Sequence, residues 1–92
     1  MTRMAPTPLA ALHVVEISDR IAGGYCGKLL VDAGADVAKV EPVTGEPLRR
    51  FNATGDAPPA GKDGPLFSYL NAGKRSVTSY SDELLGCADI VI

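Results

Sequence analysis

The feature that most constrains this chain is a change of hydrophobic period between residues 12 and 41. Leu12-His13-Val14-Val15-Glu16-Ile17 is a short β-rich run that ends at polar Ser18-Asp19-Arg20. Ala22, Tyr25, Cys26, Leu29, Leu30 and Ala33 then recur at i, i+3, i+4, i+7, i+8 and i+11, which is the spacing of one helical stripe. That stripe is expected against a sheet, with Lys28 and Asp32 outside and Gly34 as a left-handed stop. Asp36-Val37-Ala38-Lys39-Val40-Glu41 alternates like a second strand, and Pro42 ends it. Strand, helix and strand in this order predict a right-handed βαβ unit with parallel strands.

The remainder of the chain continues that grammar. Residues 43–64, rich in Gly, Pro, Ala and Asp, read as a long surface loop with one helical turn at 47–51. Residues 65–71 predict a short helix with Pro65 at its first position and Gly73 beyond its end. A third strand is expected at 75–79, a brief helical turn at 82–87 and a fourth strand at 88–92. The expected class is α/β, a Rossmann-like parallel sheet with flanking helices. Residues 1–8 are expected to form a loose tail and residues 9–92 the N-terminal part of a larger domain, because the chain stops inside an apolar strand.

Composition excludes several classes. A net charge of −2 lacks the cationic excess that a nucleic-acid surface needs. No apolar run approaches the ~20 residues of a membrane span, and 9–12 is too short for a signal-peptide core. Cys26 and Cys87 make no metal or redox spacing and read as free thiols in a cytoplasmic protein. Neither a metal cluster nor a Ser/His/Asp set can be assembled, and the lone His13 sits within the first strand.

The first strand-to-helix turn is the best candidate site. In open parallel sheets ligands bind beyond the carboxyl ends of the strands, and a helix N-terminus there favours an anion. Gly23 and Gly24 permit either close approach of a ligand or tight strand–helix packing. The turn lacks the G-x-G-x-x-G spacing of a dinucleotide fingerprint, which disfavours a nicotinamide dehydrogenase and leaves Glu41 as a solvated strand end. Lys74 and Arg75, on a glycine turn, form a second cationic candidate for a phosphate, as do Arg49 and Arg50 in the long loop, although solvated surface positions explain either pair.

Taken together, the order Leu12–Ser18, Ala22-Gly23-Gly24-Tyr25-Cys26, Leu30–Pro42, Gly45-Glu46-Pro47-Leu48-Arg49-Arg50, Leu70-Asn71-Ala72-Gly73-Lys74-Arg75-Ser76-Val77 and Ala88–Ile92 resembles the start of class III CoA-transferases. This is the formyl-CoA and carnitine CoA-transferase family, which also contains α-methylacyl-CoA racemases. The resemblance implies coenzyme A held at strand ends, acyl-CoA and carboxylic acid substrates, and an interlocked homodimer. It implies a carboxylate nucleophile and an aspartyl-CoA intermediate. The family's nucleophilic aspartate lies downstream of the last segment, so no catalytic residue is expected within these 92 residues. By the same resemblance Arg20, Ile21 and Ala22 match the turn that contacts the nucleotide end of CoA, and Lys74 and Arg75 match the family's Lys-Arg-Ser element.

The chain departs from the family pattern at three places. Pro42 replaces a basic residue found in some members, only 80–87 fills the space of a longer helix, and Ala22-Gly23-Gly24 stands where Ala-Gly-Pro is usual. The expected parent is a CoA-transferase. The alternatives are a racemase of the same superfamily and a stand-alone, non-catalytic CoA- or nucleotide-binding module.

Overall fold

A computed structural model describes residues 8–18, 21–52, 54–59 and 61–92. The elements are β1 (His13–Glu16), α1 (Ile21–Asp32), β2 (Asp36–Val40), a 3-10 turn (Pro47–Arg50), α2 (Pro65–Asn71), β3 (Arg75–Val77), α3 (Asp82–Gly86) and β4 (Ile90–Val91). Each expected element is present, with strands one to three residues shorter than their apolar runs. Four parallel strands form one sheet in the order β3-β2-β1-β4. The chain therefore steps outward from β1 to β3 and crosses back to β4, which puts the topological switch point between β1 and β4.

Both faces of the central strands are covered, as parallel sheets require. On one face Val14 and Val37 are buried with Ala35, and Leu30 and Val31 of α1 pack onto them. On the other face Val15 and Ala38 are buried beneath Leu84, Cys87 and Ala88, around a hollow of about 200 Å³. Positive φ at Gly34 (106°) and Gly73 (88°) turns the chain after α1 and α2, a conformation that side chains with a Cβ resist.

The face that α1 presents differs from the expected stripe. Tyr25 and Leu29 are 48% and 54% exposed, and Ala22 and Cys26 are exposed with them. The buried residues of α1 are Gly24 and Gly27. A hydropathy pattern scores glycine as neutral and overlooks that its missing side chain lets the helix backbone come closest to the layer beneath. A methyl at Gly24 would stand 3.4 Å from Leu70 Cδ1, so α1 is set down on α2 through that glycine. Of the expected stripe Leu30 does pack against the core, joined there by Val31, which the stripe left out.

The long loop is ordered by its arginines. Arg50 donates to the carbonyl oxygens of Pro58 (2.7 Å) and Lys62 (3.1 Å), closing the segment on itself. The Arg49 carbonyl accepts from Gly64 N–H at 2.7 Å, directly before α2. Gly64 lies against the Phe51 carbonyl so closely that any Cβ there would overlap it. Arg49 and Arg50 thus act in this chain as loop braces.

Candidate functional site

The candidate site grows from residues that share one face of β1 and β2. In the parallel register Glu16 pairs with Lys39, and Lys39 with Ser76, so all three point the same way. Glu16 is fully buried, and its carboxylate lies 2.7 Å from both Lys39 Nζ and Lys74 Nζ. Lys39 also donates to the Ser18 carbonyl at 3.1 Å. Lys74 donates to the carbonyl of Gly24 (2.9 Å) and to Asn71 Oδ1 (2.8 Å). Burial pushes the Lys74 ammonium below its ordinary pKa, opposed by Glu16. A single buried carboxylate therefore ties together the end of β1, the turn into α1, the end of α2 and the approach to β3.

Gly27 explains how α1 lies over this cluster. A Cβ there would overlap Glu16 Oε1 and come 3.0 Å from Lys74 Nζ. Only a glycine leaves room for two charged groups under the helix.

Glu41, expected as a solvated strand end, is 4% exposed. The Arg49 guanidinium grips both of its oxygens at 2.8 Å, the N–H of Glu46 donates to it at 3.0 Å, and the Ser76 hydroxyl donates a short hydrogen bond. Arg49 foremost, with Ser76 and the Glu46 amide, holds the Glu41 carboxyl down at about 2. The same guanidinium reaches Asp63 at 3.0 Å and lies 4.1 Å from the Phe67 ring centroid, joining loop and α2. The acid is buried because the loop folds back over the strand end, which no local pattern at residues 36–42 displays.

A cleft of about 290 Å³ opens beside β3, with Lys39, Glu41, Arg49, Asn71, Lys74, Arg75 and Ser76 among its walls. Lys39, Arg49, Lys74 and Arg75 are its cationic lining and Glu41 and Asp63 its acidic lining, while Glu16 and Glu46 pair with the lysines from behind and Asp36 holds Arg75. Arg75 is exposed and forms a two-pronged pair with Asp36 at 2.8 and 3.1 Å, which pulls the Asp36 carboxyl below its ordinary pKa. His13 Nδ1 lies 3.5 Å from the same carboxylate, at the sheet end opposite to Glu41.

The structure places both Lys74 and Arg75 in the lining of this cleft, and it joins Lys74 to the first turn of α1, where its Nζ donates to the Gly24 carbonyl at 2.9 Å. Arg20 lies outside the described residues. Ile21 and Ala22 face outward and are exposed. A Cβ at Gly23 would overlap the Ser18 side chain and stand 3.6 Å from Ile92 Cγ2, while Gly24 faces Leu70. Both glycines are thus in contact with the protein's own side chains. Sequence reasoning passed over Glu16, Lys39 and Glu46. The signal available was an acid and a lysine at matching positions of two adjacent strands whose apolar neighbours are buried on both faces.

The model of CoA-transferase family III matches residues 9–80. An (R)-2-hydroxy-4-methylpentanoate CoA-transferase of Clostridioides difficile is 37% identical over 70 residues, covering 76% of this chain and 18% of that protein. The succinyl-CoA–L-malate CoA-transferase beta subunit of Chloroflexus aurantiacus is 42% identical over 72 residues, covering 77% of this chain and 17% of the relative. The crystal structure of a CAIB/BAIF family protein from Brucella suis superposes with a TM-score of 0.77 at 35% identity, across 92% of this chain and 25% of the other. The chain thus spans less than a fifth of the length of these two curated relatives and a quarter of that solved chain. With 9–80 matched by the family model and the four-strand sheet shared with a solved member, the chain belongs to CoA-transferase family III.

Proposed function

We propose that this chain contributes part of the coenzyme-A-binding wall of a cytoplasmic, homodimeric enzyme that moves CoA from an acyl-CoA to a carboxylic acid. The observation that carries the reading is the cleft beside β3, whose lining includes Lys39, Arg49, Lys74 and Arg75. A CoA molecule carries phosphates, and lysine and arginine side chains lining a concave wall suit them. In this reading Arg75 is the outer phosphate contact, while Lys39 and Lys74 act from the inner wall through their field. The outward-facing Ile21 and Ala22, with Arg20, contribute the second contact with the nucleotide end.

The chemistry proposed for the whole enzyme is covalent. An aspartate supplied from outside these 92 residues attacks the thioester carbonyl, and CoA leaves as its thiolate. The thiolate then attacks the aspartyl carbonyl of the resulting anhydride, forming an aspartyl-CoA thioester and releasing the donor acid as a carboxylate. The acceptor carboxylate attacks that thioester in turn. The expelled thiolate finally takes the acceptor's acyl group and restores the aspartate. Charges and atoms balance with no further reagent.

The test is an incubation of the full-length protein with an acyl-CoA, followed by borohydride reduction and peptide mass spectrometry. An aspartate reduced only when acyl-CoA was present is the expected result. Exchange of the α-proton of the acyl group without CoA transfer would instead identify a racemase.

A further inference from the structure

Glu41 and Glu46 are two carboxylates of one loop, and the fold treats them oppositely. Glu41 receives hydrogen bonds from Arg49, Ser76 and a backbone amide. Glu46 is 2% exposed, yet among the described residues neither of its side-chain oxygens has a hydrogen-bond donor in good geometry. Its nearest cation, Lys39 Nζ, lies 3.2 Å away and is held more closely by Glu16 at 2.7 Å. A carboxylate buried this way is stabilised by taking up a proton.

The charged groups around Glu46 are Glu16 from β1, Lys39 from β2, Glu41 just beyond β2, Arg49 from the 3-10 turn and Lys74 ahead of β3. Lys39 and Lys74 line the cleft beside β3. With Glu46 protonated, two lysines face the single charge of Glu16, and the inner wall is net positive by one. With Glu46 ionised, the second negative charge cancels the surplus. Arg49 with Glu41 and Asp63, and Arg75 with Asp36, remain paired in both states.

We propose that the proton on Glu46 sets how strongly the cleft beside β3 holds an anion, so that binding of a phosphate-bearing ligand weakens as Glu46 ionises. The inference rests on the reading that this cleft takes the phosphates of CoA. Burial raises the Glu46 carboxyl above its ordinary pKa, with Lys39 opposing the effect and Glu41 and Glu16 adding to it. Linkage gives the sign: the anion favours the protonated form, so affinity drops as pH rises through that ionisation.

The experiment compares the full-length protein with its Glu46→Gln variant, which mimics the protonated state permanently. CoA and sulfate are titrated separately into each by calorimetry, from mildly acidic to mildly alkaline pH. The ratio of the two affinities removes the ligand's own titration. It is expected near one at the acidic end, rising to about fivefold in favour of the variant at the alkaline end, the effect of one unit charge nearby at an intermediate dielectric. A ratio that stays flat with pH for both probes overturns the inference. No CoA binding at any pH, with the sulfate ratio still rising, overturns the CoA reading alone; no binding of either probe overturns both. Should the variant fail to fold, infrared spectra of the unaltered protein decide. A protonated-carboxyl stretch that bleaches as sulfate affinity falls supports the inference, and absence of such a band overturns it.

Discussion

Glu16, Glu41 and Gly27 show how single positions govern this structure. Glu16 has no solvent contact and answers two lysines, so removing its charge leaves buried cations without a partner. Glu16→Ala is expected to cost about 3–5 kcal/mol in chemical denaturation, the range for breaking a buried pair from one side. Gly27→Ala pushes a methyl into the same pair and is expected to cost on the order of 2–3 kcal/mol, although alanine is the better helix former. Glu41 has a folded pKa of about 2 against an ordinary 4.5, so its contribution is fully present above the ordinary value and is lost as pH falls towards 2. At ~1.4 kcal/mol per pH unit that contribution is about 3 kcal/mol. Glu41→Gln should therefore lower stability near neutrality and flatten the acid limb of a pH–stability curve. An unchanged acid limb would sink the assignment.

At the scale of elements, α1 and α3 are the informative pair. The expected βαβ unit, the 3-10 turn and the helix behind Pro65 all stand where the sequence places them, because each carries its own local signal in period or in Pro and Gly. The orientation of α1 was not legible in the same way. Two helical stripes compete on that segment, and the larger residues lost the inner position to Gly24 and Gly27. Close backbone approach decided it, together with the two charges that need space beneath Gly27. The turn at α3 is a local matter. Ser81 caps it, its hydroxyl accepting from Leu84 N–H at 3.1 Å. Ser81→Ala is expected to cost about 1 kcal/mol and to raise amide exchange selectively within 82–86. With only five residues, α3 covers one part of the sheet, and the hollow of about 200 Å³ lies alongside it.

Across the whole molecule, apolar surface remains outside. Ile21, Tyr25 and Leu29 stand 52%, 48% and 54% exposed along α1, and Val91 on the edge strand β4 is 53% exposed. An uncovered parallel strand edge is a template for pairing with another chain. For the 92-residue chain, Val91→Lys is expected to shift sedimentation velocity towards monomer, whereas Thr54→Lys, at an exposed loop position, is expected to leave self-association unchanged. Equal behaviour of the two variants would show that the edge is not the sticking surface.

What the sequence by itself determined is the class and order of this fold. Period, β-branched runs and glycine stops are properties of neighbouring residues, and they suffice for parallel strands alternating with helices. They also suffice for the family resemblance, since that is a matter of ordered motifs. Tertiary structure alone decided which charges are inside. Lys39 and Glu41 look like the polar half of an alternating strand, and Glu46 like a loop acid. They are buried because α1 lies over that face of the sheet with α2 packed against α1, and because the 3-10 turn and Arg49 fold back over the end of β2. Burial of a charge depends on partners brought from distant positions, Glu16 for Lys39 and Arg49 for Glu41. The Coulombic compensation that makes such burial tolerable exists only once the chain has closed around them.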